Sequence, residues 1–536
     1  MIETCTEVAD KAAIEKAVLS AKKAETAKPL PPGLVMWPAS AAASNRLCVL
    51  ISDIHCTDCT VGNQTASETD WQIFFDQLLF ACGHPTGKTP ELGNEQHVDE
   101  VLLVLNGDIV DVIRSSKWTE AGVYPWHRDN PRFDEIVLEI MRDIVAIHAD
   151  IRPAVPGKPY SGFFYWMRQT IAELRGHGVP VTIIPIVGNH DKELQVVPAA
   201  RKMFYEACLG ITAESIPQRY RDWVAAQLGT PVTEEYPCMP FYLADHGLRL
   251  LATHGQWRDG DNARPGKRWK LSQGWRPDLW HKEKYKPFSD PCFGDTVASA
   301  MLSRFIWSAS KSIVSDTRGA IRIHRLLDEM DLYRPTVSAV VRLLSESRRL
   351  ASEDPAEKGL HGLVLDCFRE SLRKWLAHKE TWLSASGGMK FGLAVIYCFC
   401  RFRSYWIDVT LMRLMAKVQE PEASIDKSAL LKLPTFVAPY RNIGLRLHVE
   451  GHTHVALEEE VQFLTPEKHH ANYTYVNLGA WRDRVIPKRN TGYRRLGVGR
   501  AMFIFDLAKL AVTVPNDAFR YYVRDMTSWG DRRDHG

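Results

Sequence analysis

The stretch Ile183-Ile184-Pro185-Ile186-Val187-Gly188-Asn189-His190-Asp191 decides the fold. Its apolar, β-branched start predicts a buried strand. Gly188 lets the backbone turn, and Asn189, His190 and Asp191 arrive together on one loop. Such a loop lies beyond the carboxyl end of a strand, where chemistry sits in open or sandwiched α/β sheets. Four residues are too few to separate a catalytic loop from an ordinary turn, so the other strand ends carry the argument.

Upstream, Leu47-Cys48-Val49-Leu50-Ile51-Ser52-Asp53-Ile54-His55 is a short apolar strand ending in Asp-x-His. At that spacing both side chains can face one ion. The aspartate oxygen and histidine nitrogen together suit Mn, Fe or Zn. Taken alone, the pair reads as a capping Asp and a surface His. A second apolar run from Glu100 to Asn106 ends in Gly107-Asp108-Ile109-Val110-Asp111. Between the two lies a helical pattern around Thr69 to Phe80, with Trp71, Phe74, Phe75, Leu78 and Leu79 apolar, so strand, helix and strand predict a βαβ unit. By itself Asp108 is also a candidate helix N-cap. Downstream, Leu248 to Gly255 is a strand ending in His254, and Leu445 to His454 ends in Gly451-His452-Thr453-His454. Five strand ends thus supply Asp53, His55, Asp108, Asn189, His190, His254, His452 and His454. Capping and surface residues do not explain that recurrence.

Composition narrows the class. The 536 residues suffice for more than one domain, at roughly 100–200 residues each. Hydrophobic content of 45% and charged content of 24% are ordinary for a globular protein. A formal charge of +3 gives no argument for nucleic acid or a generally acidic partner. The 19 histidines matter because imidazole is the commonest metal ligand. The start Met1-Ile2-Glu3-Thr4-Cys5-Thr6-Glu7 lacks the basic and apolar segments of a secretory signal. Eleven scattered cysteines predict a reduced, cytoplasmic setting. Cys56-Thr57-Asp58-Cys59 has redox or zinc half-site spacing, with no second pair to complete a four-cysteine site.

The motif set resembles that of the calcineurin-like metallophosphoesterases: Asp-x-His, Gly-Asp-x-x-Asp, Gly-Asn-His-Asp/Glu, His-Gly and Gly-His-x-His. All five stand here in that order, and the match covers roughly 47–260 and 440–510. The resemblance implies an α/β/β/α sandwich carrying two divalent metal ions, with Mn expected and Fe or Zn as alternatives. Carried over position by position, one ion takes Asp53, His55, Asp108 and His454. The other takes Asp108, Asn189, His254 and His452, with Asp108 bridging. Two ions about 3.5–4 Å apart acidify a shared water and clamp the attacking and leaving oxygens of a displacement. His190 resembles the family's non-ligand His that contacts the phosphate and protonates the leaving oxygen, and Asp111 the carboxylate that orients it.

Departures from the family narrow the branch. Protein serine/threonine phosphatases carry Gly-Asp-x-Val-Asp-Arg-Gly, whereas Asp111 is followed here by Val112-Ile113-Arg114, so dephosphorylation of proteins is not expected. Asn477-Leu478-Gly479-Ala480-Trp481 is similar to a segment of bacterial branches, including enzymes of the UDP-2,3-diacylglucosamine pyrophosphatase type. Those typically have Arg where His190 stands and are far shorter, so their substrate is not carried over.

The remaining chain divides into an N-terminal extension and linker (1–46), a first core part (47–260), an insert (261–440), and a second core part with a C-terminal tail (441–536). Residues 114–178 read as irregular and aromatic-rich, the aromatics as packing, running into a helix near Phe164 to Leu174. From Trp257 to Cys292 a basic, Trp-rich loop places Arg258, Arg264, Lys267 and Arg268 after a metal-ligand His. These are candidates to hold a second phosphate or another substrate anion, and a solvated basic loop is an equal reading. Asp295 to Lys417 is helical in pattern, with breaks near Pro335, Pro355 and Gly387-Gly388. The apolar run Phe391 to Cys400 is shorter than the ~20 residues that span a bilayer. It reads as a buried cap helix, the sharper alternative being an interfacial surface that docks on a membrane and admits a lipid-linked phosphate.

The expected function is a two-metal phosphoester hydrolase that cleaves a phosphodiester or pyrophosphate in a bulky nucleotide- or lipid-linked substrate. Alternatives are a phosphomonoesterase or a nucleic-acid phosphodiesterase, with nucleic acid not the expected partner. A non-catalytic scaffold of the same fold should have lost ligands, and none is lost here. The expected location is cytoplasmic, peripheral to the membrane where the cap docks.

Overall fold

The computed structural model describes residues 30–38, 44–62, 66–83, 97–150, 162–229, 231–263, 290–314, 316–334, 337–385, 387–399, 427–464, 470–487, 493–496, 499–507 and 519–526. In chain order the described strands are β1 (Asn45–Ile51), β2 (Glu100–Asn106), β3 (Val181–Ile186), β4 (Tyr242–Asp245), β5 (Leu250–Thr253) and β6 (Leu447–Glu450). They continue with β7 (Leu457–Leu464), β8 (His470–Asn477), β9 (Arg484–Pro487), β10 (Tyr493–Leu496), β11 (Arg500–Leu507) and β12 (Phe519–Asp525). One sheet runs β12-β11-β1-β2-β3, with β1, β2 and β3 parallel and the other two pairings antiparallel. A second runs β4-β5-β6-β8-β7, parallel from β5 through β6 to β8 and antiparallel at both edges. β9 and β10 form a small antiparallel ribbon. The chain is therefore mixed α/β, with two mixed sheets and many helices.

Sequence pattern explains which strands lie inside. β1 and β2 are buried at every position, matching their unbroken apolar runs, because parallel strands are covered on both faces. β7 lies at a sheet edge and alternates half-buried with exposed side chains, as its polar–apolar pattern dictates. Both sheets contribute to one continuous hydrophobic core. Arg46 on β1 ties them together electrostatically: its guanidinium pairs with Asp245 of β4 at 3.0 Å and with Asp506 of β11 at 2.7 Å.

The predicted βαβ unit is present. Its helix α1 (Glu68–Ala81) starts at a capping box in which the Ser67 side chain and Asp70 bond each other's backbone N–H groups. The expectation of irregular structure over 114–178 is corrected by α2 (Phe133–His148). There Phe133, Ile136, Val137, Ile140, Met141 and Ile144 recur at helical spacing and bury one stripe. The next helix, α3 (Phe163–Gly176), packs on α1 through Trp71 and Phe163, whose ring centroids are 5.1 Å apart.

The reading of 1–46 as extension and linker also needs correction at its end. β1 begins at Asn45, and Leu34 and Trp37 are buried. Trp37 donates its N–H to the Ala244 carbonyl at 2.6 Å and sets its indole 4.9 Å from that of Trp223. Burying an indole there makes residues 30–38 part of the packed body.

Within the insert stand α4 (Arg318–Asp328), α5 (Val337–Glu353), α6 (Leu360–Ala377) and α7 (Gly387–Phe399), with Pro355 opening the turn between α5 and α6 as its missing N–H favours. The apolar run on α7 is not a wholly buried cap helix. Leu393 and Ile396 are buried, while Phe391 is 75% exposed and Tyr397 49% exposed, so α7 packs through one face alone. Among the described residues no helix is long and apolar enough to cross a membrane.

Candidate metal centre

The site forms where the chain leaves five strands. Asp53 and His55 follow β1, Asp108 and Asp111 follow β2, Asn189 and His190 follow β3, His254 follows β5, and His452 and His454 follow β6. These exits are tight turns that bend the backbone into an uncommon region. Asp53, His55, Asp108, His452 and His454 have φ between 50° and 67°, leaving only Cys59 and Arg249 as other non-glycine residues with positive φ among those described. Left-handed backbone at a non-glycine residue costs on the order of 1–3 kcal/mol and gathers where function over-determines the conformation.

The motif glycines permit close approach. A Cβ on Gly107 would sit 2.5 Å from the His254 ring, one on Gly188 2.2 Å from the Asp108 carboxylate, and one on Gly451 2.1 Å from Asp53 Oδ2. Each glycine therefore leaves room for a side chain contributed by another strand end.

Two clusters result, the buried Asp53–His55–Asp108–His454 and Asp108–His254–His452, in which His452 is half-buried, and within each the ligand atoms lie within 4.8 Å of one another. His454 Nε2 is 3.3 Å from Asp53 Oδ1 and 3.0 Å from His55 Nε2. Asp108 Oδ2 lies 3.7 Å from His55 Nε2 and 3.2 Å from His254 Nε2. Asn189 joins the second cluster, its Oδ1 3.3 Å from His254 Nε2 and 3.0 Å from His452 Nδ1. The structure thus brings together Asp53, His55, Asp108, Asn189, His254, His452 and His454 as the sequence pattern placed them.

Hydrogen bonds away from the clusters fix three of the imidazoles. His55 Nδ1 faces Asp111 Oδ2 at 3.1 Å, His254 Nδ1 faces the Asn106 carbonyl at 2.9 Å, and His452 Nε2 faces Asp259 Oδ2 at 3.0 Å. With a cation in place, each acceptor would hold the proton on the outer nitrogen and leave the inner lone pair aimed into the cluster, the arrangement found around metal-bound histidines. His454 differs: its Nδ1 is 2.9 Å from Arg334 Nη2, a donor.

Electrostatics agree with a site built for positive charge. Burial opposes ionisation of Asp108, yet His254, His190 and His55 outweigh it and hold the carboxyl well below the usual range. Burial likewise opposes a charge on His254, but Asp108 and Asp53 lift its pKa to about 10. Burial lowers His55 to about 3, so that ring stays neutral with its lone pair available. The carboxylate, imidazole and amide donors fit a hard or borderline divalent cation, and these buried clusters could hold one.

At the rim, His190 Nδ1 lies 2.8 Å from Asp111 Oδ1, and its backbone N–H donates to Asp108 Oδ1 at 2.8 Å. Asp191 is structural: its carboxylate accepts from the N–H groups of Gly188 at 2.7 Å and Ile109 at 2.9 Å, pinning the β3 loop to the β2 loop.

Arg258 is corrected as an anion-binding candidate. Its Nε donates to Glu450 Oε1 at 3.1 Å and its Nη2 reaches Tyr475 Oη at 3.3 Å, because fully buried Glu450 requires a cation of its own. Arg264, Lys267 and Arg268 lie outside the described residues. Cys56 is buried and Cys59 partly exposed. Sequence reading missed Asp259, whose only local signal is its place five residues after His254. It also missed Asp331 and Arg334, which reach the site from the insert. Comparison of the chain with protein-family models, curated proteins and solved structures finds no match.

Proposed function

We propose that the chain is a two-metal-dependent phosphoester hydrolase of the calcineurin-like metallophosphoesterase type, its two sheets being the inner layers of an α/β/β/α sandwich. The observation that carries this reading is the placement of Asp108 between the two clusters, with Oδ2 within 3.7 Å of His55 Nε2 and 3.2 Å of His254 Nε2. Asp53, His55, Asp108 and His454 would hold one cation, and Asp108, Asn189, His254 and His452 the other. Mn is the expected metal, with Fe or Zn also suited to these donors. When bound, such a pair supplies Lewis-acid polarisation of a phosphoryl oxygen and an acidified water as nucleophile.

The chain's own residues do the rest. His190 stands beside the clusters with Nδ1 fixed on Asp111, so its Nε2 can carry a proton to the leaving oxygen. Burial opposes the imidazolium, but Asp111 and Asp108 outweigh it and raise the His190 pKa, favouring the acid form. Asp111 also holds His55, so one carboxylate orients both a ligand and the proton donor. The absence of the Asp-Arg-Gly signature favours a diester or pyrophosphate bond over a phosphoprotein. The reach of Asp331 and Arg334 from the insert to the site supports a bulky substrate that the insert selects.

Purified protein in Mn buffer should hydrolyse bis-p-nitrophenyl phosphate faster than p-nitrophenyl phosphate, and His452→Ala should abolish both. Monoester preference would overturn the bond assignment. Absence of turnover on both, in a protein that takes up no metal, would overturn the hydrolase itself.

A further inference from the structure

Beside the clusters lies a concentration of arginine that the hydrolytic chemistry above does not use. Arg114 follows β2, Arg334 comes from the segment between α4 and α5, Arg482 follows β8, and Arg484 opens β9. Two of them meet one insert carboxylate, Asp331: Arg114 Nη1 pairs with Asp331 Oδ2 at 3.3 Å, and Arg482 pairs with the same oxygen. Of the other carboxylates acting on Arg114, Asp111 lies 3.5 Å from its Nε and already serves His55 and His190, and Asp108 belongs to the clusters. With those two carboxylates engaged elsewhere, Asp331 faces Arg114, Arg334 and Arg482 alone.

Arg334 carries the excess. Its Nη1 donates to the carbonyls of Asp331 at 2.7 Å and Tyr333 at 2.9 Å, and its Nη2 points at His454 Nδ1 at 2.9 Å. Among the described residues no carboxylate forms an ion pair with it. A half-buried guanidinium whose nearest counter-charge, Asp331, is already paired with Arg114 and Arg482 is costly unless a further anion completes it.

The contact with His454 sets where that anion would lie. With His454 serving as a ligand through Nε2, Nδ1 carries the hydrogen and no longer accepts from Arg334. One arm of the guanidinium fork is then left for another acceptor, one imidazole ring away from the clusters. Resting on the hydrolase reading, we propose that Arg334, backed by Arg114 and Arg482, binds a second anionic group of the substrate next to the phosphoryl group at the clusters. The substrate class is thereby a phosphoester bearing two neighbouring anionic groups, and the insert reads the second. Arginine suits this task because its planar fork meets two oxygens of one phosphoryl group.

The test is calorimetric titration of the full chain in Mn with inorganic pyrophosphate and with inorganic phosphate. Wild-type protein should bind pyrophosphate at least tenfold more tightly than phosphate. Arg334→Gln should bring that ratio down to within about threefold of unity, and Arg334→Lys should recover part of it. A ratio near one in the wild type would overturn the proposal whether or not the variants fold. A wild-type ratio retained in a folded Arg334→Gln would also overturn it. Bis-p-nitrophenyl phosphate, whose phosphoryl group stands alone, separates the two claims. Wild-type turnover without pyrophosphate preference sinks only the subsite, and preference without turnover sinks only the hydrolase.

Discussion

His190 and Asp111 show how one carboxylate can serve two histidines. Asp111 accepts from His190 through Oδ1 and from His55 through Oδ2. An amide offers one acceptor oxygen, so Asp111→Asn must abandon one ring or face it with a donor. Loss of such orienting contacts lowers activity or metal affinity about 10- to 100-fold. We expect turnover of a diester to fall by that factor in Asp111→Asn, assayed together with metal content, and unchanged turnover would contradict the assigned role. Glu193 gives a residue-scale prediction about stability. Burial raises its pKa to about 7, with Lys192 and Arg128 opposing and Asp295 reinforcing. The folded value exceeds the ordinary carboxyl value of 4.5, so the fold prefers the protonated form. Its contribution is whole below about pH 4.5 and is lost as pH climbs towards 7, a change of about 3 kcal/mol. Urea unfolding should show Glu193→Gln losing less stability than wild type between pH 5 and pH 8, and parallel profiles would contradict this.

At the scale of elements, the working unit is a strand followed by a tight turn in which glycine makes room for a ligand. Gly451→Ala tests it, since the added Cβ would lie 1.9 Å from Ser52 Oγ and 2.1 Å from Asp53 Oδ2. Displacing Asp53 should weaken Mn binding by about tenfold or more, read by metal titration with circular dichroism as the control for folding. Unchanged affinity would show that the glycine is incidental. This unit was also the legible part of the sequence. An apolar run followed by Gly and a polar triplet is local information, and strand, turn and side-chain direction all follow from neighbours in the chain. Asp259 and Arg334 were not legible for the opposite reason. Their contacts with His452 and His454 span 193 and 120 residues, from segments whose own pattern does not specify a partner. The helix α2 is legible in the spacing of Ile136, Val137, Ile140 and Ile144, a periodicity that the aromatics on either side of it mask.

At the scale of the whole molecule, the proposed function requires two sheets to hold their strand ends in register. Asp53, His55, Asp108 and Asn189 leave one sheet, and His254, His452 and His454 leave the other. Arg46 links the sheets through Asp245 and Asp506, all three side chains being largely buried. Arg46→Met would strand two carboxylates, a loss of about 3–5 kcal/mol. The urea midpoint should fall accordingly, and an unchanged midpoint would show that the link contributes little. The mixed α/β class was legible in the alternation of strand and helix patterns. The sheet order was not, since β11 and β12 join β1 from the far end of the chain through pairing that no local pattern announces.

The central claim is that Asp108 belongs to two cation sites at once. Metal content per chain after Mn loading and dialysis tests it directly, in wild type, His254→Ala and Asp108→Asn. The account predicts about two ions in the wild type, about one in His254→Ala, and fewer than one in Asp108→Asn, because a bridging ligand serves both positions. One ion or none in the wild type, or an Asp108→Asn protein that keeps both, would contradict it.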